Sequence, residues 1–266
     1  MKAKKLIVVT ISICVLLFSC GTDEENEPTV DIPTIPSEST FLMDFSITEA
    51  NSGGRTQAKG NWGRAAVIVG VWNILTTAYT AIPVASFGEA FNHEPIFDAS
   101  IPGWVWAYDV PVGNLSYSAR LESEVTSAGL QWEMYISLEG SFQNFKWYSG
   151  TSAISGTNGK WILNAHPLNP IPALEIDWNR NDDGTTKDIM YTNIVPEDEN
   201  NGGNIFFKIT DGADYNRLYE IYQEVEDNTI TIEWNKEKKN GRVKGLLLNS
   251  DSGFHCWGED LEDIDC

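Results

Sequence analysis

The sequence predicts a mainly β fold: a single antiparallel meander of about ten strands, an open barrel or a sandwich, packed around one apolar N-terminal helix. Three observations predict it. A run without any charge lies between Arg64 and Glu89. Beyond Pro102, apolar and polar residues alternate in stretch after stretch. Turn-forming pairs separate those stretches: Asn158-Gly159, Asp182-Asp183-Gly184, Asn201-Gly202-Gly203, Asp211-Gly212 and Asn240-Gly241.

The helix comes first. Ala65 to Gly88 reads AAVIVGVWNILTTAYTAIPVASFG, long and apolar enough to consider as a membrane span. Asn73, Thr76, Thr77 and Thr80 dilute it, however, and a helix that is apolar all round equally forms the centre of a globular core, which is the reading adopted. Pro83 is expected to end it, because proline lacks the N–H for the helical ladder and clashes with the preceding turn. The strands follow. Leu115, Tyr117, Ala119 and Leu121 alternate with Ser116, Ser118, Arg120 and Glu122; Trp132, Met134, Ile136 and Leu138 alternate with Glu133, Tyr135, Ser137 and Glu139. The same pattern recurs at Leu174, Ile176 and Trp178, at Ile205, Phe207 and Ile209, and at Ile230, Ile232 and Trp234. One buried and one wet face per strand is the habit of antiparallel sheets.

Composition narrows the class of partner. The chain has 266 residues, with 38 acidic and 18 basic side chains, and a formal charge of −20. Such a surface is repelled by phosphate backbones, so no nucleic-acid partner is expected. A hydrophobic content of 42% with ten Trp, nine Tyr and eleven Phe argues for a packed core over disorder. The N-terminus is different in kind. Lys2, Lys4 and Lys5 precede an apolar stretch, Leu6 to Phe18, too short for an ordinary span. It ends Leu17-Phe18-Ser19-Cys20, which resembles a bacterial lipobox. The resemblance implies cleavage of residues 1–19 as a lipoprotein signal peptide, acylation of Cys20, and stable anchoring to a membrane. The acidic run Asp23-Glu24-Glu25-Asn26-Glu27 resembles the surface-export signal of Bacteroidetes-type outer-membrane lipoproteins, and it equally suits a solvated tether. Residues 20–40, with Pro28, Pro33 and Pro36, read as an acidic, proline-rich tether, and residues 41–266 as a single β-rich domain.

A helix followed by a long antiparallel meander resembles the lipoprotein-carrier (LolA/LolB-like) half-barrels, in element order only, over roughly residues 60–250. That resemblance implies a half-open barrel wrapped around a helix with a hydrophobic pocket between them.

Chemistry is sparse. Cys14 leaves with the signal peptide and Cys20 is assigned to lipid. Cys256 and Cys266, with nine residues between them, are then expected to form a disulfide in an oxidising compartment, closing the acidic tail into a loop. A metal site from His255, Cys256, Cys266 and an Asp fits the usual ligand spacing poorly. His93 and His166 lie in no catalytic motif, and there is no GxSxG elbow or phosphate loop. Glu175-Ile176-Asp177-Trp178-Asn179-Arg180 resembles the start of the catalytic strand of laminarinase-type glycoside hydrolases, which implies Glu175 as nucleophile and Asp177 beside it. The acid/base position would hold Asn179 or Arg180, and neither can deliver the proton. Asn179, Asn181 and Asp183 match the first half of a calcium loop, but Met190 stands where the bidentate Glu belongs, so a hairpin turn accounts for them. Trp104, Trp106 and Tyr108 share one face of a strand, either as a platform or pocket lining for a ligand or as a cover over the helix.

The expectation is a non-enzymatic binding lipoprotein of the cell envelope, attached to the outer membrane through Cys20, without cofactor or metal. Its ligand would be an apolar molecule, a glycan or a protein partner. The alternatives are a glycan-active hydrolase-like sandwich built on Glu175 and Asp177, or a structural subunit of an outer-membrane complex.

Overall fold

A computed structural model describes residues 31–49, 60–246 and 252–266. The signal segment, Cys20 and the acidic run lie outside the described residues. Residues Ile32–Cys266 form one compact unit.

Helix α1 spans Asn61–Ala90. The strands follow in chain order: β1 Ile96–Asp98, β2 Gly103–Val112, β3 Leu115–Thr126, β4 Gly129–Leu138, β5 Phe142–Ser152, β6 Asn158–His166 and β7 Asn169–Arg180. Then come β8 Thr186–Asn193, β9 Asn204–Ile209, β10 Arg217–Gln223, β11 Asn228–Trp234, β12 Gly241–Lys244, β13 His255–Trp257 and β14 Asp263–Ile264. Each strand pairs with the next, all antiparallel, in a single sheet of 14 strands that does not close. The expected ten strands were too few. The short pieces β1, β12, β13 and β14 have two to four residues each, too short to show a period in sequence. The architecture is one open sheet, not a sandwich.

The sheet curls around the helix, which touches β2 and β3 near one edge and β12 and β13 near the other. The inner face carries the core: Trp106, Trp132, Trp161, Trp178, Trp234 and Trp257 are almost wholly buried, with Tyr148, Tyr191, Tyr219 and Phe207. Three of these indoles lie across glycines of the neighbouring strand: Trp161 beside Gly150, Trp178 beside Gly159 and Trp257 beside Gly241. A Cβ at any of the three would fall within 2.4 Å of the indole. The glycines are what let a bulky ring lie flat on a curved sheet.

Two short 3-10 turns, Glu38–Phe41 and Ser46–Glu49, also lie against the helix. Phe41 is fully buried, stacked on Trp161 at 4.8 Å and in edge contact with Phe87 and Tyr148. Pro33, Pro36 and Thr40, from the stretch read as a tether, are buried too. Thr40 accepts a hydrogen bond from the Trp161 indole at 3.0 Å.

The helix departs from expectation in two ways. It runs through Pro83 to Ala90. An interior proline costs about 3 kcal/mol, but burial of a side chain the size of Phe87 returns roughly 1.5–3 kcal/mol, and Ser86 and Ala90 are buried beyond it as well. The helix is also not buried all round. Trp62, Ala66, Val69, Thr76, Thr80, Pro83, Phe87 and Ala90 form the seam facing the protein, while Val67, Val71, Ile74 and Leu75 are 50–72% exposed. Burial of the two threonines is satisfied locally: Thr76 donates to the Trp72 carbonyl at 2.8 Å and Thr80 to that of Thr76 at 2.9 Å.

Candidate functional site

A cleft of about 470 Å³ opens between the middle of α1 and one end of the sheet. The helix supplies Ile68, Val71, Trp72, Leu75 and Tyr79, successive positions on one side of the cylinder. The sheet supplies Leu174 from β7 and Ile221 and Tyr222 from β10. The mouth is polar, with Asn193, Asp198 and Asn200 from the end of β8 and the connection to β9, and Gln223, Glu224 and Glu226 around the β10–β11 turn.

The rim is braced by its own side chains. Asp198 accepts the Asn200 amide at 2.7 Å, Asn193 accepts that of Val195 at 3.0 Å, and Asn201 donates to the Val195 carbonyl at 2.7 Å. These are the local bonds that Asn and Asp make in turns, and they shape a loop without regular structure. An apolar floor with a few polar groups at its edge, of this size, is the usual form of a small-molecule site.

The aromatic strand does not contribute to it. Trp106 and Tyr108 are 2% and 7% exposed. The Tyr108 hydroxyl donates to the Ser86 carbonyl of α1 at 2.7 Å, and His93 stacks on its ring at 4.8 Å. Trp104 packs edge-on against Phe97 at 5.5 Å. All three lie on one face of β2, and Tyr108 meets the helix near its C-terminal end, away from the cleft. Burial pushes the Tyr108 phenol well above its ordinary value, with the nearby Glu89 charge adding to it.

Glu175 and Asp177 stand on the outer face of β7, both bound by one lysine: Lys160 Nζ lies 2.6 Å from Glu175 Oε1 and 3.3 Å from Asp177 Oδ1. Partial burial raises the Asp177 carboxyl above its ordinary range; the lysine opposes this and Glu175 adds to it. Two residues on, Asn179 donates to Asp188 at 2.6 Å. The third carboxyl that the glycosidase pattern requires is absent from the sequence at that place. Asn179 and Arg180 end β7, and the β7–β8 hairpin turn follows them, with Gly184 at φ +82° and its amide donating to the Asn181 carbonyl at 2.8 Å. Arg180 closes the turn by donating to the Gly184 carbonyl.

Cys256 and Cys266 are disulfide-bonded, with Cα atoms 5.2 Å apart. The two sulfurs that a metal reading would use are therefore joined to each other. Among the described residues, no group of three or more His, Cys, Asp or Glu is arranged to hold a metal ion. His166 sits at the β6–β7 turn, where its Nδ1 accepts the Leu168 amide at 3.2 Å.

The cleft residues escape sequence reading for a clear reason. Trp72, Leu75 and Tyr79 lie in a helix whose apolar residues point in every direction, so no face stands out. No family model, no curated protein sequence and no solved structure matches the chain.

Proposed function

We propose that this chain is a membrane-anchored, non-enzymatic binding protein of the cell envelope, which holds an apolar molecule in the cleft between α1 and β7–β10. One observation carries the reading: the helix turns Trp72, Leu75 and Tyr79 toward a concave space that the sheet leaves open. Hydrophobic side chains left in contact with water across a cleft are costly unless something covers them. The open sheet wrapped on a helix accords with the arrangement implied by the likeness to lipoprotein carriers. The lipobox-like ending at Cys20 supports location at the outer membrane, and the charge of −20 weighs against nucleic acid.

The test uses the chain from Gly21 to Cys266, which contains the whole compact unit, exported and purified without detergent. It is denatured and extracted with organic solvent, and the extract is analysed by mass spectrometry beside a control protein prepared in the same way. A stoichiometric apolar molecule, lost in Leu75→Asn, is the expected result. An extract no different from the control overturns the reading.

A further inference from the structure

The floor and the mouth of the cleft have different chemistry. The floor is apolar and runs along α1 from Ile68 to Tyr79, about 16 Å at the helical rise. The mouth holds three carboxylates, Asp198, Glu224 and Glu226, all exposed. Among the described residues, no Lys or Arg lines the cleft. None of the ion pairs among the described residues involves any of the three.

Resting on the reading of this cleft as the ligand site, we propose that it takes an amphiphile with a cationic head and a single apolar tail, and discriminates against the anionic counterpart. The tail lies along Trp72, Leu75 and Tyr79, and the ammonium group stays at the mouth. Carboxylates at the rim of a low-dielectric cleft concentrate negative potential there, which draws a cation and repels an anion of the same shape. The head remains in contact with water, so it avoids the penalty of burying a charge. Ligand and site are then complementary at both ends, and the polar end sets the preference.

The experiment uses the Gly21–Cys266 chain, freed of co-purified lipid, with three probes that share a dodecyl tail: dodecyltrimethylammonium, dodecyl maltoside and dodecanoate. Each is titrated calorimetrically below its micelle concentration. One ammonium probe should bind per chain, about ten-fold more tightly than dodecanoate at low salt, with the gap narrowing as ionic strength rises. The combined variant Asp198→Asn, Glu224→Gln, Glu226→Gln should bring the three probes together, since these exposed side chains leave the core untouched. Equal binding of all three probes by the unaltered chain overturns the headgroup proposal while leaving the cleft as an apolar site. Failure of every probe to bind overturns the cleft reading itself. Leu75→Asn separates the cleft from general attraction to an acidic protein: ammonium binding that survives it overturns the proposal.

Discussion

Asp263 caps the helix that Asn61 begins. Its Oδ1 accepts the Asn61 amide at 2.7 Å, across 202 residues of sequence. The residue in the N-cap position, Gly60, has no side chain for the task. A Cβ there would lie 2.9 Å from the same carboxylate oxygen, so glycine also makes room for the distant cap. The Asn61 side chain completes the joint by donating to the Cys256 carbonyl at 3.0 Å. A negative group at this end of α1 satisfies an orphan donor and meets the positive end of the helix dipole.

The disulfide and the cap should therefore be coupled. Asp263→Ala is expected to cost about 1 kcal/mol as a lost cap, and Cys256→Ser with Cys266→Ser about 2–3 kcal/mol from the opened loop. Combined, they should cost less than their sum, because an opened tail no longer holds Asp263 at the helix. Urea unfolding of the four species measures this, and strict additivity would show that the cap forms without the bridge.

Two buried tyrosines should respond in opposite ways to loss of the hydroxyl. Tyr191 accepts the Met43 amide at 2.8 Å and donates to the Phe41 carbonyl at 2.7 Å, fastening the segment that carries Phe41 to β8. Tyr191→Phe strips partners from two buried backbone groups and should cost about 2–3 kcal/mol. The Tyr148 hydroxyl is buried and has no hydrogen-bond partner among the described residues. Tyr148→Phe should be neutral or stabilise by up to about 1 kcal/mol. Denaturant midpoints of the two variants compare them directly.

Stability against pH should carry opposite marks of two aspartates. Burial works against the Asp44 carboxylate, but hydrogen bonds from Ser46 and Lys236, with the Lys236 charge, outweigh it and hold its pKa below the ordinary value. Lys236 lies 2.9 Å away and Arg217 3.5 Å. A depressed carboxyl adds stability that is present above its unfolded pKa and lost as pH falls through the folded value. Asp44→Asn should lower stability at pH 7 and flatten the acid limb. Asp177 is raised, so its ionisation opposes folding: that cost is absent at low pH and develops as pH rises from the unfolded to the folded pKa. Asp177→Asn should leave stability at pH 7 unchanged or higher, with Glu175 still pairing Lys160. Thermal unfolding between pH 3 and pH 8, a range chosen to span ordinary carboxyl values, tests both signs.

The glycine–tryptophan pairs should be intolerant of a methyl group. Gly159→Ala places a carbon 2.4 Å from both the Thr151 carbonyl oxygen and the Trp178 ring. With backbone on one side, no side-chain rotation relieves the clash, and a loss of about 2–4 kcal/mol is expected. Gly113→Ala provides a control at a turn glycine with positive φ and no neighbour within 4 Å: strain alone should make it the milder change. Equal losses in the two variants would show that packing against Trp178 is not the cause.

Much of this fold is written locally. Alternation from Leu115 to Trp234 marks the long strands, because a pleated strand sends successive side chains to opposite faces whatever surrounds it. The Asn-Gly and Asp-Gly pairs mark turns for reasons held in their own backbones. The pairing of Cys256 with Cys266 was equally legible, being the economical use of the two cysteines left over in a chain whose N-terminus reads as an export signal. Trp106 and Tyr108 were legible as inward-facing residues but not as core rather than site, since the same face serves either purpose until its neighbours are known.

The tertiary structure alone decided how the helix is used. From Ala65 to Gly88 the sequence determines that a helix is apolar, but an apolar residue on every side leaves no moment to orient it. The seam toward Trp62, Val69 and Phe87, the passage through Pro83, and the side that Trp72, Leu75 and Tyr79 turn to the cleft all depend on a sheet formed later in the chain. The cleft joins helix residues to Leu174, Asn193 and Ile221, positions about a hundred or more residues apart in sequence. Local patterns report only which face of an element is apolar; what lies opposite that face is a property of the assembled sheet, because burial is set by whichever surface arrives to exclude water.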